Sequence, residues 1–153
     1  MVRFLTLSIL LGLFLYLSSC ISENDGPDRS LKAGDPVPEF SVTLSTGETV
    51  STADMKGHTT VIVFFNTGCS DCQRELPKVQ EAYDRAMAEG TDVRFICIAR
   101  EETDASISAY WEAEGLTLPY SPQPDRRIYN LFATQGIPRI YLITPSLSVQ
   151  PYN

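Results

Sequence analysis

The stretch TTVIVFFNTGCSDCQRELPK, residues 59–78, decides the fold of this 153-residue chain. Its first seven residues are a continuous β-branched and aromatic run, which is typical of a strand buried on both faces of a largely parallel sheet. From Cys72 to Ala88 apolar side chains recur at helical spacing, with Pro77 inside the pattern and Gly90 as a stop signal. The stretch therefore predicts a buried strand, a short loop and a helix, with Cys69 and Cys72 at the junction.

The rest of the chain adds elements of both kinds, separated by glycine, proline and polar signals. Because strands and helices alternate, the pattern predicts an α/β sandwich with helices on both faces of the sheet. The predicted strands are a β-hairpin of Phe40–Leu44 and Glu48–Ser51, and the single strands Thr59–Phe65, Val93–Ala99 and Ile140–Ile143. A helix is predicted from a cap at Thr103 or Asp104 to Gly115, with Ile107, Tyr110 and Trp111 on one face. A short helix is predicted from Asp125, with Ile128, Leu131 and Phe132 inward and Gly136 as terminator.

The N-terminus has the composition of a secretory leader. A short basic start precedes the fourteen-residue apolar run Phe4–Leu17, and a spanning helix needs about 20 apolar residues. The run instead fits the hydrophobic region of a signal peptide, which is roughly 7–15 residues long. Leu17-Ser18-Ser19-Cys20 resembles the lipobox of bacterial lipoproteins, which implies cleavage after Ser19 and a lipid on Cys20. The alternative is an ordinary secretory leader with an incidental cysteine.

Three segments follow from this reading. Residues 1–19 are the predicted lipoprotein signal peptide. Residues 20–34 are the predicted lipid-bearing cysteine and flexible tether, because the segment is polar and rich in Gly, Pro and Asp. Residues 35–153 are the predicted folded domain, with enough apolar material for one core.

Composition narrows the class of partner. The chain is 43% hydrophobic and 20% charged, carries a net charge of −7, and contains no basic run. This pattern therefore argues against nucleic acid, and against an anionic lipid surface held by charge, as partners.

The two cysteines point to redox chemistry. A helix N-terminus presents unpaired N–H groups and a positive dipole end, which favour thiolate over thiol. Cys69 is then the expected nucleophile, and Cys72 the thiol that resolves the mixed disulfide. A CxxC pair is also half of a zinc site, but zinc needs two further ligands. The other candidates are His58, in a turn, and Cys97, inside a strand, so no metal site is predicted.

The segment Phe64–Pro77 resembles the active site of the thioredoxin superfamily, and is closest to its TlpA/ResA-like branch of membrane-anchored oxidoreductases. Glu75 and Pro77 fill the branch's glutamate and proline positions, and Gly136-Ile137-Pro138 matches the Gly-(Ile/Val)-Pro segment. The resemblance implies a thioredoxin-like three-layer sandwich with an N-terminal β-hairpin. It also implies a cis bond before Pro138, and a role for Glu75 in tuning the cysteine pKa values or relaying a proton. It implies no cofactor besides the dithiol.

Three positions depart from that pattern. Gly68 stands where the branch usually has tryptophan, which removes the indole that shields and orients the thiol. Arg139 follows the proline, where it could stabilise the Cys69 thiolate or meet an acidic substrate, or be simply solvated. After Ile143 there is room for a short edge strand and none for the usual closing helix, so the C-terminal strand and helix are shortened. This predicts a partly uncovered sheet face, and a truncated reading frame would look the same.

The predicted function is thiol–disulfide exchange in the bacterial cell envelope. The leading hypothesis is an extracytoplasmic, lipid-anchored reductase of protein disulfides that takes electrons from a membrane thiol-reductant donor. An oxidase or isomerase would use the same residues and differ in reduction potential. The alternatives are a non-catalytic or truncated thioredoxin-like binding module, and a redoxin-type thiol peroxidase. Against the last, Ile62 and Asn66 stand where a Pro-x-x-x-Thr-x-x-Cys signature needs Pro and Thr.

Overall fold

The computed structural model describes residues 27–150, and an α/β arrangement organises them. The strands are β1 (Ser41–Thr43), β2 (Thr49–Ser51), β3 (Thr59–Phe65), β4 (Val93–Ala99), β5 (Tyr120–Ser121) and β6 (Arg139–Ile143). The helices are α1 (Ser70–Glu89), α2 (Asp104–Glu114) and α3 (Tyr129–Phe132), with a 3-10 turn at Thr52–Met55. The predicted hairpin, β3, β4, α1 and α2 are confirmed.

The site rests on a four-stranded sheet in the order β5-β4-β3-β6. β3 and β4 run parallel, in register from Thr59 opposite Val93 to Phe65 opposite Ala99. β6 pairs antiparallel with β3 on the other side. β5 joins β4 in parallel at two residues only, and a strand this short leaves no periodic pattern by which the sequence could predict it.

Alternate residues of the two central strands enter different cores, as the period-2 geometry of a strand requires. Ile62 and Phe64 belong to a hairpin-side core with the β1–β2 hairpin, the 3-10 turn and α3. Val63 and Phe65 belong to a helix-side core with α1 and α2. Both faces of β3 and β4 are thus covered, which explains the continuous apolar run Val61–Phe65 in β3.

Helix ends follow the sequence closely for the two long helices. α1 and α2 stop at Gly90 and Gly115, each in the left-handed conformation with φ of 64°. Glycine adopts that conformation without a Cβ clash, and the cap N–H then satisfies the last carbonyls of the helix.

The prediction of a helix starting at Asp125 was wrong. Helical structure is confined to Tyr129–Phe132, with Tyr129 buried and Leu131 43% exposed instead of inward. The Asp125 carboxylate accepts bonds from the backbone N–H and side chain of Arg127. These bonds hold Asp125 and Arg127 in a turn that precedes the short helix.

The described part of the predicted tether, residues 27–34, makes hydrogen bonds and an ion pair with the domain. Leu31 donates its N–H to the Phe132 carbonyl at 2.8 Å, and Gly34 donates to Val149 at 2.9 Å. Asp28 pairs with Arg139 at 2.8 Å. The predicted leader and Cys20 lie outside the described residues. Between residues 27 and 150, no helix is long and apolar enough to cross a membrane.

At the end of the described chain, where the sequence left room for a short edge strand, the structure has isolated β-bridges and no strand. Val149 bridges Ile143 in antiparallel fashion, and Gln150 donates its N–H to the Leu142 carbonyl at 2.7 Å. On β6 the side chain of Ile140 is 43% exposed, while Tyr141 and Ile143 are buried in the hairpin-side core. The uncovered part of the sheet is therefore the α1 side of β6.

Candidate active site

The two cysteines meet at the start of α1. Cys69 is the residue immediately before the helix, with extended backbone (φ −87°, ψ 119°), and Cys72 lies in its first turn. Both are free thiols, with Cys69 half-buried and Cys72 fully buried in the helix-side core. The loop from β3 sets this position, because Cys69 donates its N–H to Asn66 at 3.1 Å. The thiol of Cys69 is the one that an incoming molecule can reach.

Burial separates the chemistry of the two sulfurs. The pKa of Cys72 is raised to about 12, chiefly by loss of solvent and also by its hydrogen bond with Cys69. A bond from the Asn66 backbone N–H and the nearby positive charge of Arg100 act in the opposite direction. Cys72 therefore stays protonated at neutral pH, and it must lose a proton before it attacks another sulfur.

The proline loop between α3 and β6 faces the nucleophile. Its Ile137–Pro138 peptide bond is cis, as the resemblance implied, and the thiol of Cys69 donates to the Ile137 carbonyl at 3.6 Å. The hydroxyl of Tyr129 donates to the Gly136 carbonyl at 2.7 Å from beneath. An open cleft of about 540 Å³ lies between this loop and α1. It is lined by Asn66, Gly68, Cys69, Asp71, Arg100, Gly136 and Ile137.

The guanidinium of Arg139, for which the sequence left three roles open, is held by a backbone carbonyl and a carboxylate. Its guanidinium donates twice to the Gln135 carbonyl, at 3.0 and 2.7 Å, and once to the Asp28 carboxylate at 2.8 Å. Burial lowers the pKa of the Arg139 guanidinium, but the hydrogen bond and the negative charge of Asp28 act against it, and the pKa is raised overall. Arg139 thus ties the N-terminal segment to the proline loop.

The two acidic residues of the motif lie on the outer surface of α1. Glu75 accepts a bond from Lys78 at 2.7 Å, and Asp71 pairs with Arg74. The Glu75 side chain is 38% exposed. Its predicted part in proton transfer to Cys72 therefore needs a direct kinetic test.

The residues that hold the loop before Cys69 were not predicted. The side chain of Asn66 donates to the Arg100 carbonyl at 3.1 Å and accepts from the Gly68 N–H at 2.9 Å. The Glu102 carboxylate accepts both the N–H and the hydroxyl of Thr67. These partners are about 35 residues apart in the chain, and no periodic pattern links them.

His58 and Cys97, which were considered as further zinc ligands, lie in separate surroundings. His58 pairs with Asp92 at 2.7 Å, and Cys97 is buried in β4 with its pKa raised to about 12 by loss of solvent. Within residues 27–150, no three His, Cys, Asp or Glu side chains gather where they could hold a metal ion.

Comparison with known proteins gives a consistent family. Residues 32–138 match the model of the Redoxin family. The chain is 25% identical over 115 residues to the thiol-disulfide oxidoreductase ResA of Bacillus thuringiensis, covering 75% of this chain and 65% of that protein. The ResA of Oceanobacillus iheyensis is 24% identical over 148 residues, covering 94% and 76%. The thioredoxin domain of a Bacteroides vulgatus thiol-disulfide oxidoreductase superposes with a TM-score of 0.69 at 21% identity, covering 80% and 88%.

Proposed function

Because the chain belongs to the Redoxin family, within the thioredoxin superfamily and related to ResA, we propose that it is a dithiol reductase of protein disulfides. One observation carries the proposal. A half-exposed Cys69 and a buried Cys72 lie together at the start of α1, and the Cys69 thiol faces the cis-proline loop. The chain spans about two thirds of the Bacillus thuringiensis ResA, at 65% of its length, so activity and partners are part of the proposal.

The reaction proceeds through two exchanges. The Cys69 thiolate attacks one sulfur of the substrate disulfide, forms a mixed disulfide with it, and releases the other substrate sulfur as a thiol after protonation. Cys72 then loses its proton and attacks the Cys69 sulfur, which releases the second substrate thiol. Two electrons and two protons have passed to the substrate, and the protein holds a Cys69–Cys72 disulfide. A thiol reductant must reduce that disulfide before the next cycle.

The second exchange needs a proton acceptor, because the pKa of Cys72 is about 12 and its thiolate is scarce at neutral pH. Glu75 is the proposed acceptor, one helical turn past Cys72. Its bond to Lys78 would have to open, or a water would have to connect the two groups. Pro138 is proposed to shape the surface that contacts the substrate beside Cys69.

The cellular setting is a further part of the proposal. The predicted leader and the lipobox-like Cys20 support a lipid-anchored protein on the extracytoplasmic side of a bacterial membrane. The protein disulfides of the envelope would then be the substrates, and a membrane thiol-reductant would be the donor. Radiolabelled fatty acid should enter the wild-type protein and be absent from Cys20→Ala.

The first experiment measures the reduction potential of the dithiol and the turnover of a protein disulfide such as insulin. A potential of about −250 mV or lower with insulin turnover supports a reductase. A potential near about −120 to −180 mV would replace that proposal by an oxidase or isomerase. No reversible couple and no turnover would leave a non-catalytic binding module. Cys72→Ser should accumulate the mixed disulfide through Cys69, whereas Cys69→Ser should not.

A thiol peroxidase is the second candidate, and the match to the Redoxin family favours its inclusion. Ile62 is fully buried in β3 and the Asn66 side chain is bonded to the Arg100 carbonyl, so neither residue supplies a peroxidase signature group. Hydrogen peroxide consumption, measured with the same protein, separates the two activities. Turnover of peroxide that exceeds turnover of insulin would select the peroxidase.

A further inference from the structure

A nearly buried carboxylate lies beside the active-site loop. Glu102 follows β4 and precedes α2, and only 8% of its surface is exposed. Glutamate is rarely this buried unless its oxygens have partners, since loss of solvent penalises an unpaired charge. The proposed exchange reaction uses no group of Glu102, so its burial calls for a separate explanation.

The carboxylate of Glu102 has its partners in the loop that leads to the nucleophile. One oxygen accepts the Thr67 backbone N–H at 2.8 Å, and the other accepts the Thr67 hydroxyl. One residue earlier, the Asn66 side chain donates to the Arg100 carbonyl at 3.1 Å. Two consecutive residues of the loop are therefore bonded to the segment after β4.

That segment is itself fixed in place. The Glu102 backbone N–H donates to the Gln123 carbonyl at 2.8 Å, and the two residues form an isolated antiparallel bridge. The next residue, Thr103, is the N-cap of α2, and Trp111 of that helix packs against Phe65 at 4.9 Å between ring centroids. Glu102 is thus a buried side chain on a rigid support, as a positioning group must be.

The position of Thr67 affects the position of the Cys69 sulfur, which is only two residues further along the same loop. Thr67 accepts a bond from the Gln73 side chain at its carbonyl, at 2.8 Å, and the Cys69 N–H donates to the Asn66 carbonyl at 3.1 Å. If the loop moved, the N-cap position of Cys69 would move with it. The approach of its thiol to the Ile137 carbonyl would change as well.

We propose that Glu102 is a positioning residue for the Cys69 thiol, acting through its two hydrogen bonds to Thr67. The inference rests on the proposed dithiol function. It assigns a task to hydrogen bonding rather than to charge, since a carboxylate so close to the loop would by charge alone oppose a thiolate. Holding the loop at the start of α1 keeps the sulfur near the N–H groups and positive dipole end that favour the thiolate.

Two substitutions at the same position separate bonding from charge. Glu102→Gln removes the charge and keeps both contacts, because its oxygen can accept the Thr67 N–H while its amide donates to the hydroxyl oxygen. Glu102→Ala removes charge and contacts together. Thr67→Val keeps the charge and the N–H contact and removes the hydroxyl contact. Glu112→Gln, on the exposed face of α2, is the matched control.

The readout is the rate of Cys69 alkylation by iodoacetamide against pH in the reduced protein, with alkylation located by mass spectrometry. We expect the pH midpoint of the alkylation rate to lie about 0.5 pH unit or more higher in Glu102→Ala than in Glu102→Gln, because a loosened loop stabilises the thiolate less. The alkylation midpoint of Thr67→Val should lie above that of the wild type, and the midpoint of Glu112→Gln should equal that of the wild type. For insulin reduction, kcat/KM should fall about tenfold in Glu102→Ala and about threefold or less in Glu102→Gln.

Each outcome of these experiments either supports the proposal or overturns it. Equal midpoints for Glu102→Ala and Glu102→Gln would overturn the proposal, since hydrogen bonding would then not matter. If Glu102→Ala fails to fold, Thr67→Val decides, and a wild-type midpoint in that variant overturns the proposal. Alkylation needs no turnover, so a wild-type protein that reduces no disulfide would refute the proposed function and leave the test of Glu102 intact.

Discussion

The buried thiol of Cys97 makes the stability of the protein depend on alkaline pH. Its pKa is raised from 9.0 to about 12 by loss of solvent alone. The unfolded chain therefore releases this proton as pH passes about 9, while the folded chain keeps it to about 12. Stability from this group is present in full below about pH 9 and is lost as pH rises, at about 1.4 kcal/mol per pH unit.

Replacing Cys97 by alanine removes this dependence at a small packing cost. The side chain is 0% exposed in the helix-side core, and loss of one buried sulfur costs about 1 kcal/mol in lost contacts and cavity. Cys97→Ala should thus be less stable than wild type by about 1 kcal/mol near pH 8. The two should be equal near pH 10, and the variant should be the more stable above that.

Urea unfolding at about pH 8, 9.5 and 10.5, with a phosphine reductant present, measures the difference. Cys72 and the tyrosines titrate in both proteins, so their contributions cancel in the comparison. A difference in the free energy of unfolding that stays constant from about pH 8 to 10.5 would refute the assignment of Cys97 as a protonated, buried thiol.

Three further predictions concern the site and the core. Glu75→Gln should alter the pH dependence of mixed-disulfide resolution and leave the first exchange unchanged. Glu81→Gln, on the same helix, is the control. If stopped-flow kinetics gave Glu75→Gln and the wild type the same pH profile of resolution, Glu75 would have no part in the mechanism. Tyr129→Phe should lower the free energy of unfolding by about 1 kcal/mol, because it loses the 2.7 Å bond to the proline loop and keeps its ring. Phe64→Ala should lower the free energy of unfolding by about 3–5 kcal/mol, since the side chain is 0% exposed. Leu131→Ala, at a side chain that is 43% exposed, should lower it by about 0.5 kcal/mol or less. Thermal unfolding that shows equal losses for the two variants would contradict the core assignment.

Much of the fold follows from local patterns in the sequence. The bounds of β3 and β4 were predicted to the residue because both strands are continuous β-branched and aromatic runs between turn signals. Gly90 and Gly115 ended their helices because each supplies the left-handed cap that other residues resist. The meeting of Cys69 and Cys72 at the start of α1 was predicted as well, since three-residue spacing at a strand–helix junction brings two cysteines together.

Other features depend on contacts between residues that are distant in sequence. The sequence left the role of Arg139 open, and its carboxylate partner in the structure is Asp28, 111 positions earlier. Glu102 has no motif of its own, and its bonds to Thr67 exist because β3 and β4 end side by side in the sheet. The sequence by itself determined the strands, the long helices and the placement of Cys69 and Cys72 at the start of α1, because local periodicity and backbone preference dictate them. Only the tertiary structure decided which polar groups hold that pair in place, because hydrogen bonds across 35 or more residues leave no periodic trace in the chain.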